Sequence, residues 1–389
     1  MAFFANRAVN LFSLHFVIFS AAFQGGGAFY AIYMVKSGIS IPLTLIALGS
    51  VQAVRFVIRP LVLVFAARFG LRQTLMAGTI LTAVQYPILA EIGGIGPVLY
   101  ALIVVTAVSD VFYWSSYHAT FARLGDDEHR GSQVSAQNAG MALVGIVSPI
   151  LSGWLLAALG PRVAFNFSGL IVLLSVIPMF WTPNTPIERN IDGGFRAAVG
   201  DTLLLLSMDG FTAVGTVFIW QIALFLTLGG SYVNYGGVLA VAALAGALGG
   251  MVLGRFIDKG HGARMVWIGV GATAAVIVLR ALGYGHPWLA VIAAALSPLG
   301  GALYSPLQMT PVYTRAKASP CVLRFHIMME GAWDTGSVIG TLLSAGLVGM
   351  GMSLGAAMLL SLLSTLVCFV ILRRYFLANP SQHLAPAEA

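Results

Sequence analysis

Two arginines, Arg55 and Arg59, stand one helical turn apart inside the oily stretch "SVQAVRFVIRPLVLVF", residues 50–65. A guanidinium cannot shed its proton, so burying the pair is costly unless anions or water meet it. Candidate partners lie far along the chain. In "VLRFHIMMEGAWDTGSVIG", His326, Glu330 and Asp334 recur every fourth residue and so share one helical face. "DVFYWSSYHATF" repeats that spacing with Asp110, Trp114 and His118, and sets Tyr113 and Tyr117 beside them. Ionisable groups inside apolar spans mark solute pathways or proton relays. A carboxylate within an aromatic face could also hold a cationic or amphipathic organic solute by stacking and cation–π attraction. The alternative is aromatic packing, with Asp110 bound to a neighbouring helix.

A series of apolar runs must position these groups. Hydrophobic residues make up 59% of the 389 and charged ones 8%, where a soluble domain carries about 25% charge. Mean hydropathy is +0.91. Twelve runs are each long enough to cross ~30 Å of hydrocarbon as a helix. They span roughly 10–35, 41–66, 73–92, 96–122, 132–158, 161–181, 200–228, 232–256, 264–284, 286–313, 322–348 and 352–376. The first lacks a short apolar core followed by a small-residue cleavage site, so it reads as a retained helix, not a signal peptide. Cys321 and Cys368 are too few, and too apolar in setting, for a disulfide framework or a cysteine metal site.

The formal charge of +7 is explained by its distribution, without nucleic acid. Basic residues from Arg7 to Arg374 collect in the connections on one side, and only Lys36, Arg162 and Arg280 fall on the other. The positive-inside rule therefore puts both termini in the cytoplasm of a plasma membrane, the inner membrane of a bacterium. No Gly-rich phosphate loop joined to a strand is present, nor a soluble domain to hold ATP, so the energy must come from a gradient. No catalytic or metal constellation stands out, and no cofactor is expected. His326, Glu330 and Asp334 are possible ligand types, but two nearby arginines would disfavour a divalent cation.

The polar connection "TPNTPIERNIDGGFRAAVG", residues 182–200, separates two sets of six spans. The predicted organisation is a bundle over 1–181, a cytoplasmic linker over 182–199, a second bundle over 200–376 and a cytoplasmic tail over 377–389. Sliding the chain by 191 positions lays Phe65 on Phe256, Arg68 on Lys259 and Tyr113 on Tyr304, with span boundaries and short basic loops in register. Parallel six-helix repeats are a transporter architecture. On these residues the chain resembles the major facilitator superfamily over essentially its whole length. That family's loop signature is Gly-x-x-x-Asp-(Arg/Lys)-x-Gly-x-(Arg/Lys). Gly254, Asp258 and Lys259 fit it, with Gly262 and Arg264 one place late. The copy after the second span keeps Arg68, Gly70 and Arg72 but has Ala67 in place of the acid. "GIVSPILSGW" in the fifth span, with Ser148, Pro149, Ser152 and Gly153, is similar to a signature of family exporters and tips the expectation toward export.

The resemblance implies an all-α membrane fold of twelve transmembrane helices in two pseudo-symmetric six-helix bundles. It further implies that spans 2 and 11 face each other. Arg59 and Glu330 lie about seven and eight residues from the same membrane face, or 10–12 Å, with Arg55 and Asp334 about one turn deeper. The expected pairs are Arg59 with Glu330 and Arg55 with Asp334, acting as a proton-responsive latch fed by His326. The other readings are two permanent bridges, or arginines lining a cavity for an anionic metabolite in an importer or uniporter. Spans 1, 4, 7 and 10 would line the cavity, making Gln24, Asp110, Trp114, Tyr117, His118, Asp209, Tyr304 and Gln308 the candidate solute-binding residues. Trp220 and Gln221 lie deeper in span 7, and Gly25–Gly27 follow Gln24 where the backbone can flex or approach a neighbour. Ala242, Gly246, Gly250 and Gly254 form a small-residue strip expected to pack a seam between spans 5 and 8. The expected function is a monomeric, proton-coupled secondary transporter of a small organic solute, with lipids and protons as its other partners and no enzymatic activity. A non-transporting membrane receptor or assembly factor is the rival from another class.

Overall fold

Proline and glycine decide where the apolar helices break. The structure, a computed structural model, describes residues 6–124, 130–187, 200–257 and 262–380, with the side chains of 122–139 and 251–262 outside the description. Among the described residues the regular structure is helical, without strands. The expected first span divides into α1 (Arg7–Gln24), a 3-10 turn at Gly26–Phe29 and α2 (Tyr30–Lys36). The second divides into α3 (Ile41–Ile58) and α4 (Pro60–Phe69), because Pro60 has no N–H to donate and its ring crowds the carbonyl four residues back. Then follow α5 (Leu71–Ala90), α6 (Pro97–Leu124), α7 (Arg130–Ala158) and α8 (Gly160–Ser175). Beyond the linker are α9 (Asp201–Ala213), a π turn at Val214–Ile219, α10 (Trp220–Thr227), α11 (Tyr232–Ile257) and α12 (Gly262–Gly283). The chain closes with α13 (Pro287–Ala318), α14 (Val322–Gly349), α15 (Leu354–Met358) and α16 (Ser361–Ala378). α13 runs unbroken through Pro298, Pro306 and Pro311.

Ten helical segments among the described residues are long and apolar enough to cross a membrane. α5 and α14 are long enough but not among the ten, and both bury polar side chains. In α5 the buried Thr74, Thr79 and Thr82 each return their hydroxyl proton to the carbonyl four residues earlier, which satisfies both groups without water. In α14 the polar face holds Asp334, Ser337, Thr341 and Ser344, all buried. Along α3 and α4 the pattern is inverted relative to a soluble helix. Val57 is 74% exposed and Leu61 and Val64 are likewise exposed, while Arg55 and Arg59 are buried. Such an apolar exterior calls for lipid, not water, around it. The chain is an integral, multi-pass membrane protein.

Contacts divide the chain into two compact units, Met1–Ile39 with Ser50–Asp192 and Ser40–Gly49 with Gly193–Ala389. In the first, α5 packs on α6 and α8, and α1 on α7 and α8. The glycines after Gln24 serve close approach: a Cβ on Gly25 would stand 2.6 Å from Ser152 Oγ, and one on Gly27 3.2 Å from the Tyr86 hydroxyl. Ser148 and Ser152 of the exporter-like motif therefore pack against helix 1's glycine turn. The linker begins by capping the α4–α5 turn. Asn184 Nδ2 donates to Phe69 O at 2.9 Å, and Arg72 Nη1 donates to Thr182 O at 2.9 Å. Main-chain carbonyls thus receive the cation in the loop where Ala67 stands at the acid's place.

In the second unit α9 packs on α14, α12 on α13 and α16, and α11 on α13. Leu205, Val266, Leu307, Cys368, Leu372 and Phe376 form one of its cores. In the small-residue strip of α11, Gly246 meets Pro298 of α13, with a Cβ there 2.7 Å from the proline's own, whereas Gly250 has nothing within 4 Å among the described residues. The surroundings of Gly254 lie outside the description, as do Asp258 and Lys259 of the loop signature.

Candidate functional site

The helix break at Pro60 leaves Arg59 at the joint between α3 and α4, with its own N–H still bonded to Arg55 O at 3.0 Å. Both side chains are directed inward, Arg59 being 2% exposed. Within this unit Arg55 Nη1 lies 3.2 Å from Asp110 Oδ2 of α6, the two side chains 11% and 22% exposed. Tyr30 and Tyr86 stand within electrostatic reach of that carboxylate. Tyr30 is fixed by its hydroxyl on Thr106 Oγ1 at 3.1 Å, and Tyr86 by donating to Ala22 O at 3.1 Å. A charge-assisted pair is therefore built from α3 and α6 of one unit, with a phenol from α2 and one from α5 near it.

The aromatic face of α6 is largely consumed by α1. Tyr113 stacks on Phe19 with ring centroids 3.8 Å apart, and Tyr117 on Phe16 at 4.6 Å and Phe12 at 5.1 Å. Trp114 meets Phe23 edge-on at 6.0 Å and lies parallel to His118 at 6.0 Å. Trp114 and His118 stay half-buried, whereas Tyr113 and Tyr117 are buried. Gln24, half-buried, ends α1.

In the second unit Asp209 of α9 accepts from Trp333 Nε1 of α14 at 3.0 Å and is hydrogen-bonded to Gln308 of α13. Tyr304, one turn from Gln308, turns instead into the core and bonds Cys368. Asp334 is 0% exposed, Glu330 half-buried, and His326 sits beside Phe325 and Tyr313 with centroids 5.7 and 6.5 Å away. Among the described residues no three His, Cys, Asp or Glu side chains gather as a metal site. Trp333, Tyr30 and Tyr86 escape the sequence reasoning. A tryptophan directly before a buried acid is the one signal that could have found the first, and the tyrosines carry none.

No curated protein matches this sequence. Solved structures share its fold at low identity. A transporter of the POT family in complex with 5-aminolevulinic acid superposes with a TM-score of 0.71 and 12% identity, over 97% of each chain. The human organic anion transporter MFSD10 (TETRAN) gives 0.67 and 16%, over 94% of this chain and 99% of its own. The POT family transporter PepTSo gives 0.67 and 14%, over 96% and 99%. Likeness at this level speaks for the fold alone. The sequence profile of the Major Facilitator Superfamily matches residues 11–320, most of the chain, and with buried charges set in apolar helices it establishes that this protein belongs to that superfamily of membrane transporters.

Proposed function

We propose that the protein is a proton-coupled secondary transporter that moves a small organic solute by alternating access, with export favoured over import. It crosses the bacterial inner membrane twelve times, both termini are cytoplasmic, and it works as a monomer without cofactor or catalysis. The observation that carries this reading is the Arg55–Asp110 ion pair at 3.2 Å inside apolar helices. A buried charge pair that contributes little net stability is retained where exchange of partners has a use.

In the proposed cycle Asp110 holds Arg55 in one state, and the latch of Arg55 with Asp334 and Arg59 with Glu330 forms in another. Proton uptake by a carboxylate that has lost its arginine is favoured, because burial penalises the charged form. That couples the exchange to the proton gradient. Trp114 and His118 in the first unit, and Asp209 and Gln308 in the second, are the proposed solute contacts. Gln24 at the end of α1 is a further proposed contact, while Tyr117, stacked on α1, and Tyr304, turned into the core, hold the others in place.

The test is flux in proteoliposomes under an imposed pH gradient. A panel of an organic anion and 5-aminolevulinic acid follows the chemistry named for two of the structural relatives. A member of the panel should accumulate uphill, and Glu330→Gln should abolish the dependence on the gradient while leaving downhill exchange. Unchanged proton dependence in that variant removes Glu330 from the coupling. Absence of flux under every gradient supports the receptor reading instead.

A further inference from the structure

Arg280 lies in the last turn of α12, where a long cationic side chain ordinarily reaches outward to the polar boundary. It reaches inward. Its Nε donates to Ser297 Oγ at 3.0 Å, its Nη1 donates to the Thr216 carbonyl, and its guanidinium carbon stands 4.9 Å from the centroid of the Trp220 ring. Ser297 lies ten residues into α13, which places the head about 15 Å from that helix end at ~1.5 Å per residue. The π turn at Val214–Ile219 makes room for this contact. In an unbroken α-helix Trp220 N–H would donate to Thr216 O, but here it donates to Val217 O, and Thr216 O turns to the arginine. Such π insertions in α-helices recur at functional sites.

Each of these partners is neutral. Among the described residues no carboxylate pairs with Arg280, and its Nη2 has no acceptor. The Tyr235 hydroxyl is within electrostatic reach. A guanidinium held at this depth by a serine, a carbonyl and an indole face is oriented but not neutralised, and its remaining fork matches the planar, two-oxygen geometry of a carboxylate. We propose that Arg280, oriented by Thr216, Trp220 and Ser297, is the binding group for the carboxylate of a small organic acid. This rests on the transporter reading and names the class of solute within it.

Trp220 reports the event, because its ring lies against the cation. The full-length protein in nanodiscs is titrated with acetate, benzoate and succinate, and with acetamide, benzamide and succinamide as neutral counterparts. Tryptophan emission is recorded alongside a Trp220→Phe control. At least one acid should give a saturable change that its amide does not, absent from the control. Arg280→Gln should weaken that acid about ten-fold or more, the loss of a hydrogen bond to a charged group. Arg280→Lys, which keeps the charge without the fork, should fall between and guards against a misfolded glutamine variant. No saturable response to any acid, equal response to acid and amide, or unchanged affinity in folded Arg280→Gln overturns the proposal. A bound acid that is not moved in proteoliposomes counts against transport and leaves the site standing. Flux of an acid that ignores Arg280→Gln does the reverse.

Discussion

Gly336→Ala should destabilise the protein by about 3 kcal/mol, the upper end for overpacking a close-packed interface, and sharply lower the yield of monodisperse protein. A Cβ at Gly336 would run into the backbone carbonyl of Ser207, and one at Gly210 into that of Trp333. The two contacts are reciprocal: each helix of the α9–α14 pair lends a glycine to the other's main chain. Backbone cannot swing aside as a flexible side chain can, so the helices must part, and the Trp333–Asp209 hydrogen bond at 3.0 Å parts with them. Gly340 should be milder, because a Cβ there meets the side chain of Val214 at 2.8 Å, and that side chain can shift. Gly346 on the same helix has nothing within 4 Å among the described residues, so Gly346→Ala should be neutral or gain about 0.5–1 kcal/mol from reduced backbone entropy. Melting curves of the purified variants check the order. Equal melting temperatures for Gly336→Ala and Gly346→Ala would show that the seam is looser than its geometry implies.

Much of the helical layout is legible in the sequence, since ~30 Å of hydrocarbon demands long apolar runs and leaves few alternatives. The break at Pro60 and the turn at Gly25–Gly27 follow from residue chemistry, and Gly336 with Gly340 is a small-residue pair visible in "GSVIG". Pairwise partners are another matter. Matching depth across the chain offers Arg55 the acid at 334; the Asp110 carboxylate within its own unit, at 3.2 Å, is a contact that no spacing rule could single out between positions so far apart in sequence. Tyr113 and Tyr117 share a helical sector with Trp114 and His118, yet which rings face a neighbour depends on where α1 lies. Arg280 is the clearest case. Its nearness to a helix end reads as a boundary charge, and only the π turn before Trp220, which has no residue signature of its own, opens the inward route.

Arg55→Gln and Asp110→Asn should each cost about 3 kcal/mol, because breaking a buried pair takes an opposite charge from the one that remains where water is scarce. Each substitution removes an opposite charge from 3.2 Å, and the side chains are only 11% and 22% exposed. The two losses should not add: with a coupling of about 2 kcal/mol, expected for groups in direct contact, the double variant should lose about 4 kcal/mol instead of about 6. The cycle is read from thermal or denaturant unfolding of the four proteins in one detergent, and so needs no knowledge of the solute. If the losses instead add to within about 0.5 kcal/mol, the two side chains behave as independent sites, and Asp110 is not what holds Arg55. Strong coupling also bears on transport: in the proposed cycle Arg55 must leave Asp110, and a proton on that carboxylate is what lowers the barrier to leaving. Asp110→Asn, a permanent mimic of the protonated state, should then move solute at a rate that no longer responds to the pH gradient, whereas Arg55→Gln should not move it against one at all.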